Sequence, residues 1–152
     1  MARPFGYIGM VCMDEIIIDA EDMVAGRLAS KAAKLLLNGN TVKVVNAEKA
    51  VILGNPVHIV EEYRKKLERG DPYKGPFYPK VPDKILQRII RGMMPYKKPM
   101  GKAAFKRLRV YDGIPEELKN RDIIRIKGIE NKHKTKFISL RRLSDKLGGK
   151  VK

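Results

Sequence analysis

Two short β-branched runs with one helical pattern between them constrain this chain more than any other feature. Ile16-Ile17-Ile18 and the run at residues 42–45 suit strands buried on both faces. Between them Val24, Leu28, Ala32 and Leu35 recur at helical spacing over residues 23–37. Asp22 is placed to cap that helix, and Asn38-Gly39 to close it. Residues 16–45 therefore predict a βαβ unit, and parallel pairing with a right-handed crossover follows. A third apolar run, residues 50–53, comes after a link of only four residues, 46–49. A parallel return takes a dozen or more residues. A mixed sheet or a strongly distorted third strand is the expectation.

Downstream, Asn55 caps a helix opened by Pro56 and running to residue 69, with Val57, Val60, Tyr63 or Arg64, and Leu67 turned inward. Residues 70–82 hold four prolines, too many for a helix or a central strand. Tyr73, Phe77 and Tyr78 lie in that loop among lysines, placed either to stack on unpaired bases or to pin the loop to the domain. Residues 85–113 begin with an amphipathic helix whose stripe is Ile85, Leu86, Ile89, Ile90 and Met93. Lys84, Arg88 and Arg91 fall on another face of it. Gly92 and Pro95 end the helix, and a proline-bounded loop carries Lys97 and Lys98. A helical turn with Lys102, Lys106 and Arg107 leads to a strand over residues 108–111 that bears Arg109. A turn at 115–120, a short strand at 123–126 and a last helix with Leu140, Leu143 and Leu147 buried complete the pattern.

Every charged side chain from Lys84 to Arg109 is basic. The first sixty residues carry 6 basic and 6 acidic groups, residues 61–110 carry 15 and 5, and the remainder 12 and 6. One neutral scaffold and one long cationic surface are thus expected, and the net charge of +16 calls for a polyanionic partner. The candidate RNA contacts are Arg27, Tyr78, Lys84, Arg88, Arg91, Lys97, Lys98, Lys102, Lys106, Arg107 and Arg109, with Lys132 and Lys134 in a second basic segment. Gly26 either opens the first helix turn to a phosphate held by Arg27 or allows close packing on the sheet. No GxGxxG or GxxxxGK[ST] is present, and no nucleophile, base or carboxylate pair stands in the basic region, so no cofactor and no catalytic residue is expected. His58 and His133 lack companions at ligand spacing, so no metal is expected either. Cys12 is alone, which fits a reducing, cytoplasmic setting, and no apolar run approaches a membrane span. Residues 1–13 fit no periodic template. They read either as an N-terminal extension without order, with Met10 and Met13 as alternative starts, or as an ordered N-terminal arm, ahead of a single domain over 14–152.

Three stretches carry a resemblance: IDAEDMVAGRLASKAAKLLLNG (18–39), VVNAEKAVILGN (44–55) and IIRGMMPYKKPMGKAAFKRLRVYDG (89–113). They resemble the signature stretches of the ribosomal protein L-thirteen family of the large subunit. FYPKVPDKI (77–85) and FISLRRLSDKLG (137–148) are similar to its archaeal and eukaryotic branch. Met94 departs from the Leu or Val more usual there, and residues 1–13 have no counterpart. The resemblance implies a three-layer α/β/α domain with a four-stranded parallel or mixed sheet of order 3-2-1-4, basic loops and a C-terminal helix. It also implies a non-enzymatic constituent of the cytoplasmic large ribosomal subunit, whose partners are large-subunit rRNA and neighbouring ribosomal proteins, with no membrane and no small-molecule substrate. The competing expectations are a nucleic-acid-processing or nucleotide-binding α/β enzyme and a polybasic peripheral membrane protein.

Overall fold

The structure, a computed structural model, describes residues 14–131 and 135–149. The proposed extension at 1–13, and Lys132, His133 and Lys134, lie outside the described residues. Strand β1 (Glu15–Asp19), helix α1 (Ala25–Leu37) and strand β2 (Thr41–Val45) form the expected βαβ unit. The two strands pair in parallel, Ile16 opposite Val42 and Ile18 opposite Val44. Helix α1 buries Ala25, Ala29, Ala32 and Ala33 beside Leu28 and Leu36, a seam of small side chains that lets it pack closely. Asp22 does not cap it. Its backbone is left-handed, with φ of 55°, and Met23 and Val24 are held by bridges to Glu130 and Val51. Backbone paired in that way cannot enter the first turn, so the helix starts at Ala25.

The third apolar run does not join the main sheet. The short link winds into a 3-10 turn, Ala47–Lys49, and strand β3 (Val51–Leu53) then pairs antiparallel with strand β6 (Phe137–Ser139). The main sheet is parallel throughout, in the order β4-β2-β1-β5, with β4 at Leu108–Val110 and β5 at Ile123–Ile124. Read over all strands of the chain this differs from 3-2-1-4, because β3 has left. The four strands within the sheet, numbered among themselves, do stand 3-2-1-4.

Progression from β1 to β2 to β4 runs one way across the sheet, so right-handed crossovers place α1 and the later helices on one face. These are α2 (Pro56–Glu68), α3 (Pro82–Gly92) and α4 (Pro99–Lys106), and the C-terminal α5 (Leu140–Lys146) packs on α3 in the same core. Leu28, Leu36, Leu86, Ile90, Leu108, Leu140 and Leu143 are among the fully buried side chains of that core. The step from β4 to β5 reverses direction and must cross the other face. There Ile17, Val45 and Leu118 form a smaller cluster with Tyr111 and Ile123, covered by the 3-10 turn Glu116–Leu118. Among the described residues no helix is long and apolar enough to cross a membrane.

Candidate nucleic-acid interface

Helix α3 opens at Pro82, and its second residue is capped from a distance. The Asp83 amide donates to Oδ1 of Asp112, 2.9 Å away, so the turn after β4 holds the start of the helix. Burial, followed by the neighbouring Asp83 carboxylate, raises the pKa of Asp112. The inward stripe is Ile85, Leu86 and Ile90, with Ile89 only partly covered. Met93 is not part of it: the helix ends at Gly92, the helical spacing lapses, and Met94 turns inward while Met93 stays exposed. The Met93 sulfur instead receives the Ser30 hydroxyl at 3.3 Å.

The three cations on the outer face of α3 have different surroundings. Lys84 is exposed, 3.8 Å from the Asp83 carboxylate. The Arg88 guanidinium lies over the Tyr78 ring at 4.0 Å, and Tyr78 meets Tyr63 edge-on at 6.5 Å. Arg91 lies over Tyr96 at 4.9 Å, and Tyr96 meets Phe105 edge-on at 5.4 Å. Each cation–π contact contributes on the order of 0.5–1 kcal/mol at such partly exposed sites. The Tyr63 hydroxyl is pushed up to about 12, by burial first and then by Tyr78 and Glu62. Arg88 and Arg91 therefore pin two loops to α3 as well as charging its face. In α2, Val57 is exposed against expectation, because the helix buries Ile59 and Val60 and turns Val57 to solvent.

Beyond α3 the chain makes a tight turn, Lys98 N–H donating to the Pro95 carbonyl at 3.0 Å, and Lys97 and Lys98 project from it. Pro99 opens α4 rather than closing the loop, so the helix is longer than the expected turn from Lys102. Gly101 packs against that turn: a Cβ there would stand 2.1 Å from the Pro95 carbonyl oxygen. Lys102 and Lys106 are exposed one turn apart on α4. No side chain caps the helix start and no acid stands in its first turn. Arg109 is exposed on β4. Arg107 is half-buried, and its Nη2 donates to the Leu36 carbonyl at 2.9 Å, so it closes the C-terminal end of α1, where the helix dipole favours a cation.

Arg27 is exposed in the first turn of α1, at the opposite end of a helix about 20 Å long from the Arg107 contact. Nothing lies within 4 Å of a Cβ built on Gly26, so close packing does not require glycine there. Sequence reasoning passed over Lys31 and Lys34, which continue the Arg27 stripe at i+4 and i+7 and are also exposed. That spacing was readable.

Several cations elsewhere in the fold are paired with carboxylates. Lys43 and Arg121 pair with Glu15, Lys49 with Glu21, and Arg141 with Glu48. Arg125 bridges Asp19 at 3.1 Å and Glu21 at 2.9 Å. Among the described residues, Arg27, Lys97, Lys98, Lys102, Lys106 and Arg109 have no carboxylate within 4.0 Å. No group of three or more potential metal ligands occurs among the described residues.

In open parallel sheets small ligands settle where the strand order reverses, here beyond the ends of β1 and β5. Asp19 and Arg125 occupy that place. Asp19 receives Asn46 Nδ2 at 2.9 Å, the Glu21 amide at 3.0 Å and Arg125 Nε at 3.1 Å. A carboxylate so placed repels a phosphate. Burial opposes its ionisation, but the bonds from Asn46, Glu21 and Arg125 outweigh burial and hold its pKa below the ordinary 3.8. A depressed folded-state pKa contributes stability above the unfolded value that is lost as pH falls through the folded one. Stability of wild type to urea should therefore fall below about pH 4, and Asp19→Asn should be less stable at neutral pH with a flatter acid limb. An unchanged acid limb in Asp19→Asn would remove Asp19 as its source.

Among known proteins, residues 13–117 match the family model described as Ribosomal protein L13. A Large ribosomal subunit protein uL13 from Archaeoglobus fulgidus is 46% identical over 138 residues, covering 89% of this chain and 88% of that one. The protein of the same name from Methanosarcina barkeri is 47% identical over 137 residues, 88% of this chain and 98% of that one. That from Methanopyrus kandleri is 51% identical over 107 residues, 70% and 67% of the two chains.

Proposed function

The chain belongs to the ribosomal protein L13 family, and from that premise we propose that it is a structural constituent of the large ribosomal subunit that binds and organises large-subunit rRNA through its basic face. The role is architectural rather than catalytic, its setting is the cytoplasmic ribosome, and its partners are rRNA and adjacent ribosomal proteins. One observation carries the reading. Around the sheet's carboxyl edge, carboxylates occupy Lys49, Arg125 and Arg141, whereas Lys97, Lys98, Lys102, Lys106 and Arg109 project without them from one turn, helix and strand. Unpaired, exposed cations on a fixed frame suit phosphates, and phosphate contacts position a protein on RNA without reading its bases. Arg27, Lys84, Arg88 and Arg91 extend the surface, with Arg88 and Arg91 and their rings shaping it. Arg107 serves it from beneath as the tie to α1.

The test is a titration of a large-subunit rRNA fragment at several salt concentrations. Lys97→Ala with Lys98→Ala should weaken binding and lower the magnitude of the salt slope of log K by roughly 0.7–0.9 for each phosphate left without its lysine. Lys49→Ala with Lys66→Ala removes the same charge from lysines already paired with Glu21 and Glu62, and should change both far less. Equal losses in the two pairs would reduce the turn to one part of a diffuse field.

A further inference from the structure

Beside the lysine turn lies a groove of about 380 Å³ whose lining includes Phe77, Lys84, Gln87, Arg88, Arg91 and Phe105. Its charged lining is wholly cationic, which sets it apart from an ordinary apolar crevice. Phe77 is 70% exposed although it is among the most apolar side chains of the loop. Its turn is ordered. Gly75 and Asp71 exchange backbone hydrogen bonds, the Gly75 amide to Asp71 at 2.8 Å, and a Cβ added at Gly75 would stand 3.0 Å from the Phe77 ring. Phe105 is braced by Tyr96, and the Tyr78 ring is already covered by Arg88. Phe77 is thus the ring in this groove left with open surface.

We infer that this groove takes one unpaired nucleotide of the RNA, with the base stacked on Phe77, its edge met by the Gln87 amide, and its flanking phosphates met by Lys84 and Arg91. The inference rests on the rRNA-binding reading and deepens it: the lysine turn holds backbone, and the groove selects single-stranded over paired RNA. A base inside a duplex has no free face to offer the ring. Because every base has such a face, a short single strand of arbitrary sequence is a sufficient probe.

The experiment uses a short oligoribonucleotide carrying one 2-aminopurine, single-stranded or annealed to its complement, titrated against wild type, Phe77→Ala, Phe77→Tyr and the Lys97→Ala, Lys98→Ala pair. Wild type should prefer the single strand and change the base's fluorescence on saturation. Phe77→Ala should weaken single-strand binding roughly five- to hundredfold, abolish the fluorescence change and leave duplex affinity alone. Phe77→Tyr should restore binding, and the lysine pair should weaken both forms. If Phe77→Ala binds the single strand as wild type does, the inference fails and the ring is left to a protein neighbour. If wild type binds neither form, the groove takes no free nucleotide and the inference fails, while the rRNA-fragment titration decides the rRNA-binding reading separately.

Discussion

Leu86→Ala should lower the free energy of unfolding by about 2–5 kcal/mol, the range for deleting most of a fully buried leucine and leaving a cavity. Leu86 is completely buried in the middle of α3, and the core there is shared with α1, β4 and α5. Collapse around the void would have to move elements that are tied elsewhere, which places the cost toward the upper half of that range. Lys102→Ala, exposed on α4, should stay within about 0.5 kcal/mol of wild type. Urea denaturation of both variants at neutral pH measures the contrast. A small loss for Leu86→Ala would mean that α3 is not a core element, and its cations would then lack a rigid mount.

Gly101→Ala should be the most damaging single methyl group in the basic region. The added carbon would stand 2.1 Å from the Pro95 carbonyl oxygen and 2.5 Å from its carbon, both backbone atoms that cannot swing away. Either α4 or the lysine turn must shift, at a cost of about 1–3 kcal/mol as in other overpacked sites. No charge changes, yet Lys97 and Lys98 move relative to Lys102. Affinity for the rRNA fragment and the magnitude of its salt slope should therefore both fall, as they do when the lysines are removed. Retained slope with reduced stability would show that the turn's geometry does not matter to binding.

Much of this was legible beforehand, and the failures have physical reasons. The βαβ unit could be read because β-branched runs and helical spacing are local signals. The run at 50–53 also announced a strand, but nothing local named its partner, which lies more than eighty residues away in β6. The α3 stripe slipped by one residue at Met93 and Met94 because periodicity does not survive a helix end. Asp22 had the right chemistry for a cap and the wrong backbone. In the site, sequence could mark Arg88, Arg91 and Arg107 as cations but could not show that Tyr78, Tyr96 and the Leu36 carbonyl lie beneath them. Those partners exist only once the elements are packed.

The bond from the Asp83 amide to Asp112 closes a loop in the chain. Residues 83–112, which hold α3, the lysine turn, α4 and β4, begin and end at one point. The length-dependent part of closing a thirty-residue loop is about 3 kcal/mol, and it is met in folding, before any RNA arrives. A disordered basic tail of the same composition would lose its freedom at the moment of docking and bind more weakly for each contact it made. In the proposed rRNA-binding role the cations would reach the subunit already spaced. Assembly then resembles the seating of a moulded part more than the winding of a thread, and its rate should follow the folding of the RNA rather than that of the protein.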